Sequence, residues 1–363
     1  MPQLVSNLIT IALITIACGS LVLWVQAISR LLRGKPLLIV EPGPAAAWGL
    51  VDLMVIGAAF VLLPSLAVLL FRSLYQIDPA VQNTELTGVQ LAGVFFSGSV
   101  ANLGVFLLAM ILLTVRVRAS LKDLGFARGH VAGDLRLGLI AFMMLSTPVL
   151  AIQWLLTRWW PSEHPVETML GKQPSAGIFL VAGFAAVIVA PLVEEFFFRV
   201  ILQGWLENVN RFWGNQSRLL YGAGKPSQHQ QAESHNPADQ EFSEEENREV
   251  PALNEVVVHA EQDNPYLVSH VGPADISGTN SPVMAELATN LRRPAMWPIV
   301  VSATVFAAMH VGHGPDPIPL FVLAAGLGYL YQRTHRILPC IVVHVLLNAF
   351  SVTMLWLSIA FGL

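Results

Sequence analysis

Long apolar runs, separated by polar loops, occupy most of the chain. They lie near residues 5–28, 46–71, 88–115, 135–157, 176–206, 295–311, 316–332 and 337–360. About 20 residues of α-helix cross the hydrocarbon core of a bilayer, and all but the sixth and seventh runs reach that length. The pattern predicts an all-α fold, a polytopic transmembrane helical bundle of about eight spans.

The composition supports lipid as the surroundings of this chain. Of its 363 residues, 54% are hydrophobic and 12% are charged, about half the charged fraction of a soluble domain. Its two cysteines, Cys18 and Cys340, exclude a disulfide framework and a cysteine-rich metal site. The chain has no basic patch of the kind that binds nucleic acid, so no nucleic-acid partner is expected. No Lys or Arg precedes Arg30, so the first run is expected to be a membrane helix and not a cleaved signal peptide.

The loops alternate between basic and weakly charged. Lys and Arg are concentrated after the first, third and seventh runs, at Arg30, Arg33, Lys35, Arg116, Arg118, Lys122, Arg128, Arg136, Arg333 and Arg336. Positively charged loops remain in the cytoplasm. The pattern therefore predicts an integral protein of the cell membrane with both termini outside and every basic loop inside.

A polar segment interrupts the apolar pattern between the fifth and sixth runs. Residues 214–290 hold half of the chain's 24 Asp and Glu residues and have no helical or strand period. This composition is typical of a disordered loop. We predict N-terminal helices of unknown role at 1–115, a helical core in two parts at 116–206 and 294–363, and an acidic, disordered cytoplasmic insertion at 207–293.

Three ionisable residues lie within the fifth apolar run. An ionisable side chain at the bilayer centre costs about 2.5–3.5 kcal/mol, so Glu194, Glu195 and Arg199 suggest a function. On a helix Glu195 and Arg199 are four residues apart and can form an ion pair. Glu194 projects about 100° away and lacks such a partner, which makes it the candidate general base. A kink near Pro191 would exchange the roles of the two glutamates.

Two later runs carry further polar groups at helical spacing. His310 lies in the sixth run, and His344 and Asn348 lie four residues apart in the eighth. Imidazole and amide groups buried in lipid need hydrogen-bonding partners. We therefore expect these side chains to meet the two glutamates and the arginine in one polar pocket inside the bundle.

The ordered set of motifs resembles the CPBP family, which comprises CAAX prenyl endopeptidases and bacterial relatives in bacteriocin processing or immunity. The motifs are Glu194-Glu195-x-x-x-Arg199, Phe306-x-x-x-His310 and His344-x-x-x-Asn348. The resemblance covers about residues 120–355, and the chain departs from the family's pattern in its long insertion. It implies an intramembrane endopeptidase whose substrate is a membrane-associated protein or peptide.

The expected chemistry is hydrolysis by an activated water. Glu194, assisted by His310, would take a proton from water, and His344 and Asn348 would stabilise the oxyanion. Glu195 and Arg199 would maintain the geometry and charge of the site. The sequence leaves open whether zinc is a cofactor, with Glu194, His310 and His344 as candidate ligands.

Two other functions also remain open at this stage. The same polar pocket would suit a transporter, although we find no inverted repeat, or a non-catalytic immunity or scaffold protein.

Overall fold

Nine α-helices form the part of the chain that this computed structural model describes, residues 2–41, 43–127, 129–160, 175–213, 216–222, 295–312 and 314–361. The helices are α1 (Pro2–Leu32), α2 (Leu50–Leu74), α3 (Gly88–Arg116), α4 (Val131–Leu156), α5 (Ala176–Arg211), α6 (Gln216–Tyr221), α7 (Trp297–Ala308), α8 (Pro317–Thr334) and α9 (Leu338–Phe361). These ranges contain no strand, so the predicted all-α class is confirmed.

Six of these helices are long and apolar enough to cross a membrane: α1 to α5 and α9. Helix α7 has only 12 residues, a rise of about 18 Å, whereas the hydrocarbon core is about 30 Å thick. The membrane helical bundle is thus confirmed, and the number of eight spans stays a prediction.

Helix α5 is not a regular α-helix. Two stretches, Ala185–Val189 and Phe196–Gln203, have the wider π-helical turn. In such a turn each N–H bonds the carbonyl five residues earlier. Proline has no N–H, so Pro191 leaves Ala186, five residues before it, without that donor. The glutamate pair lies between the two wide turns.

The helices pack so that α5 is covered on several sides. Helices α7 and α8 pair with each other, as do α4 and α9 and α2 and α3. The buried core includes Phe196, Phe198 and Phe306, whose rings meet edge to face or lie within the same apolar cluster. The core therefore surrounds the segment of α5 that carries the ionisable residues.

The beginning of the predicted insertion is helical. Helix α5 continues to Arg211 instead of ending near residue 206, and residues 216–221 form α6. Trp205 donates from Nε1 to the carbonyl of Leu219 at 3.0 Å, and the Arg116 guanidinium donates to the carbonyl of Tyr221 at 3.3 Å. Residues 223–293 lie outside the described residues, so disorder there stays a prediction.

The charge pattern of the loops yields a test of orientation. In a chain with Cys18 and Cys340 replaced by Ala, we expect Gln82→Cys, an exposed site between α2 and α3, to react with an impermeant maleimide in intact cells. Lys122→Cys, exposed between α3 and α4, should react only after permeabilisation, because positive loops stay inside. The reverse labelling pattern would overturn the predicted orientation.

Candidate active site

Glu195, Arg199 and His344 form the centre of the polar cluster. Glu195 and Arg199 are fully buried, and the Arg199 Nε donates to Glu195 Oε2 at 2.9 Å, which is the contact that their helical spacing predicts. His344 Nδ1 lies 2.8 Å from Glu195 Oε1. A carboxylate that already accepts from a guanidinium is an acceptor only, so Nδ1 is the donor of this bond.

Glu194 lies beside this cluster in a more open environment. Its side chain keeps 22% of its surface exposed, whereas that of Glu195 keeps none. His344 Nε2 is 3.9 Å from Glu194 Oε2. This separation is too long for a direct hydrogen bond and short enough for one water molecule to contact both atoms. The two neighbouring glutamates therefore have different surroundings.

His310 stands just beyond the end of α7 instead of within it. The helix ends at Ala308, and the His310 N–H bonds the carbonyl of Ala307 at 3.0 Å in a turn. The His310 Nδ1 donates to the carbonyl of Phe306 at 2.9 Å, because a carbonyl oxygen can only accept. His310 and His344 both act electrostatically on Glu194, so the predicted convergence of these side chains is present.

Asn348 is engaged with the backbone of α5. Its Nδ2 donates to the carbonyl of Ala186 at 2.8 Å. This is the carbonyl that Pro191 leaves without a donor, so the amide of Asn348 takes the place of the missing backbone N–H. One amide hydrogen of Asn348 is thereby committed to structure, and the second remains for another acceptor.

The ring of Phe306 separates the cluster from the surrounding apolar core. It lies 4.9 Å from the His310 ring and 6.0 Å from the His344 ring between centroids. The Arg199 Cζ is 5.8 Å from the same centroid, within the range of a cation–π contact. Phe306 therefore lies beside both imidazoles and the guanidinium.

The sequence analysis did not identify two residues that support α5. Ser302, buried in α7, donates to the carbonyl of Phe198 at 3.0 Å. Trp48, before α2, donates from Nε1 to the carbonyl of Ile201 at 3.0 Å. Both carbonyls belong to the second wide turn of α5. In the sequence only Pro191 signals that the helix is irregular. Nothing in the sequence indicates which side chains donate hydrogen bonds to the carbonyls of α5.

The candidate zinc ligands do not form a metal site in the described residues. Within this part of the chain, no three His, Cys, Asp or Glu side chains are arranged to hold a metal ion. His344 Nδ1 and His310 Nδ1 are bonded to Glu195 and to a backbone carbonyl, so a metal ion at this site would be bound through the Nε2 atoms.

Comparison with known proteins agrees with the motifs. Residues 176–224 and 282–350 match the family model described as type II CAAX prenyl endopeptidase Rce1-like. The match covers less than half of the chain and includes all three motifs. Comparison with curated proteins and with solved structures gave no match. The family match supports a membrane-embedded protease that acts on a peptide or protein, and it agrees with the resemblance of the motifs to the CPBP family.

Proposed function

We propose that the chain is an intramembrane endopeptidase that hydrolyses a peptide bond of a membrane-associated protein or peptide without a metal ion. The observation that carries the proposal is the division between the two glutamates. Glu195 is fixed by Arg199 and His344, while Glu194 is partly exposed and faces His344 Nε2. A hydrolytic site needs one such group that can accept a proton.

Glu194 is the proposed general base. A water molecule between Glu194 and His344 Nε2 loses a proton to the Glu194 carboxylate, and its oxygen attacks the carbonyl carbon of the substrate. His310, which acts electrostatically on Glu194, assists this transfer. The proton then passes from Glu194 to the leaving nitrogen as the C–N bond breaks, so that a carboxylic acid and an amine leave the site.

His344 and Asn348 are the proposed oxyanion donors. The Glu195 carboxylate accepts from Nδ1 and favours a protonated imidazole, so that Nε2 can donate to the developing negative charge. Asn348 contributes the amide hydrogen that Ala186 does not use. One oxyanion donor is typically worth about 2.7–4 kcal/mol of transition-state stabilisation.

We place the protein in the cell membrane, with a membrane-associated substrate and the acidic insertion in the cytoplasm. The substrate can be found by comparing the membrane proteomes of cells that express the wild-type chain and the Glu194→Gln variant, in which the uncleaved substrate should accumulate.

The Glu194→Gln variant should lose processing of that substrate by at least about 100-fold, because general-base catalysis typically contributes 10²–10⁴-fold. The amide is nearly isosteric and the side chain is partly exposed, so the melting temperature in detergent should stay close to that of the wild type. The rate is measured with purified protein and the accumulated substrate. Undiminished processing by a folded variant would refute the protease proposal and leave a transporter or a binding protein.

The neighbouring variant Glu195→Gln should behave differently. It removes the anion of a fully buried pair, and an uncompensated buried charge typically costs about 3–5 kcal/mol. We therefore expect a clear fall in melting temperature as well as lost processing. An equal fall in both variants would contradict the separate roles of the two glutamates.

Exhaustive chelation should leave the rate of processing unchanged, since the described residues provide no three-ligand site. Elemental analysis of the purified protein provides the control. Loss of activity that zinc restores would overturn the metal-free mechanism while leaving the protease assignment intact.

A further inference from the structure

The short segment 46–48, which precedes α2, packs directly against α5. Trp48 is one of the largest buried side chains, with 1% of its surface exposed. The segment belongs to the region 1–115, which lies outside the family match and to which the sequence assigns no role. Its contacts with α5 indicate one.

Two side chains bind the segment to α5. The Trp48 Nε1 donates to the carbonyl of Ile201 at 3.0 Å. Asn208 accepts from the Ala46 N–H through Oδ1 at 3.1 Å and donates from Nδ2 to the Ala46 carbonyl at 2.6 Å. The buried amide of Asn208 thus bonds both the N–H and the carbonyl group of Ala46.

Close packing accompanies these hydrogen bonds. A Cβ atom on Gly204 would lie 3.1 Å from the Trp48 indole, so the glycine permits the ring to approach the helix. Asp52 in turn holds the segment in place. Asp52 accepts from the Gly49 N–H at 3.0 Å and forms an ion pair with Arg116 at the end of α3. Helices α2 and α3 therefore support the position of the indole.

These contacts lie at the second wide turn of α5. The turn spans Phe196–Gln203, so it begins directly after Glu195 and contains Arg199. A wide turn inserts an extra residue and rotates all that follows relative to a regular helix. Contacts at Ile201, Gly204 and Asn208 hold the far side of the turn in that rotated register.

We propose that segment 46–48 is a positioning element for the candidate active site. Trp48 and Asn208 hold the wide turn Phe196–Gln203 in place and thereby keep Arg199 against Glu195. The catalytic part of this inference rests on the proposed function; the structural part does not. The N-terminal helices α2 and α3 then support the position of α5.

Hydrogen exchange on the full-length protein in detergent micelles tests the structural part without a substrate. The variant Trp48→Phe keeps an aromatic ring and removes the Nε1–H donor. We expect amides of residues 199–206 to exchange roughly tenfold faster, because loss of one buried hydrogen bond changes local opening by about that factor. The rest of the bundle should keep its protection.

The matched control is Trp24→Phe. Trp24 also donates from its indole to a backbone carbonyl, that of Met144 at 2.9 Å, but it joins α1 to α4 away from the site. Its loss should leave residues 199–206 protected. Unchanged exchange there in Trp48→Phe, or faster exchange spread evenly over the bundle, would refute the proposal.

A second variant and a kinetic measurement complete the test. If Trp48→Phe does not fold, Asn208→Ala, which breaks the other attachment, should produce the same local change, and its absence would refute the proposal. With the substrate that accumulates in Glu194→Gln cells, Trp48→Phe should lower kcat at unchanged KM, whereas Trp24→Phe should not. If exchange changes as expected but no substrate accumulates in Glu194→Gln cells, the protease proposal fails and the positioning role of segment 46–48 remains.

Discussion

The buried ion pair between Glu195 and Arg199 is the constraint on which the rest of the structure depends. Both side chains are fully buried in a helix that is long and apolar enough to cross the membrane, and at such a position neither water nor lipid can solvate a charge. The protein has to supply the solvation itself. It does so with the short contact between the two groups, with His344 on the second carboxylate oxygen and with the ring of Phe306 near the guanidinium.

The same requirement explains why other elements bind α5 through its backbone. Carbonyl groups that a wide turn or a proline leaves poorly bonded are costly inside a membrane. Asn348 from α9, Ser302 from α7 and Trp48 before α2 each donate to a carbonyl within a wide turn of α5. Three separate elements therefore bind the irregular part of α5 through its backbone.

The sequence predicted the helical class and the meeting of the polar residues because both follow from the cost of polar groups in lipid. Helical spacing also predicted the contact of Glu195 with Arg199. It did not predict that His344 would bond Glu195, because that contact depends on the rotation of α9 against α5. The sequence also did not predict the wide turns. Pro191 signals an irregularity, but the side chains that bond the carbonyls of α5 lie more than 100 residues away along the chain.

The two adjacent glutamates can differ because a helix points neighbouring side chains about 100° apart. One direction leads into the ion pair, where the carboxylate accepts from two donors and its charge is fixed. The other leads to a partly exposed position where the nearest ring nitrogen is 3.9 Å away. A base that accepted two strong hydrogen bonds would be a poor proton acceptor, and an unsupported charge would not stabilise the bundle. In the proposed mechanism, placing the two tasks on consecutive residues satisfies both needs with a single helix, and it ties the reactivity of Glu194 to the packing that holds Glu195.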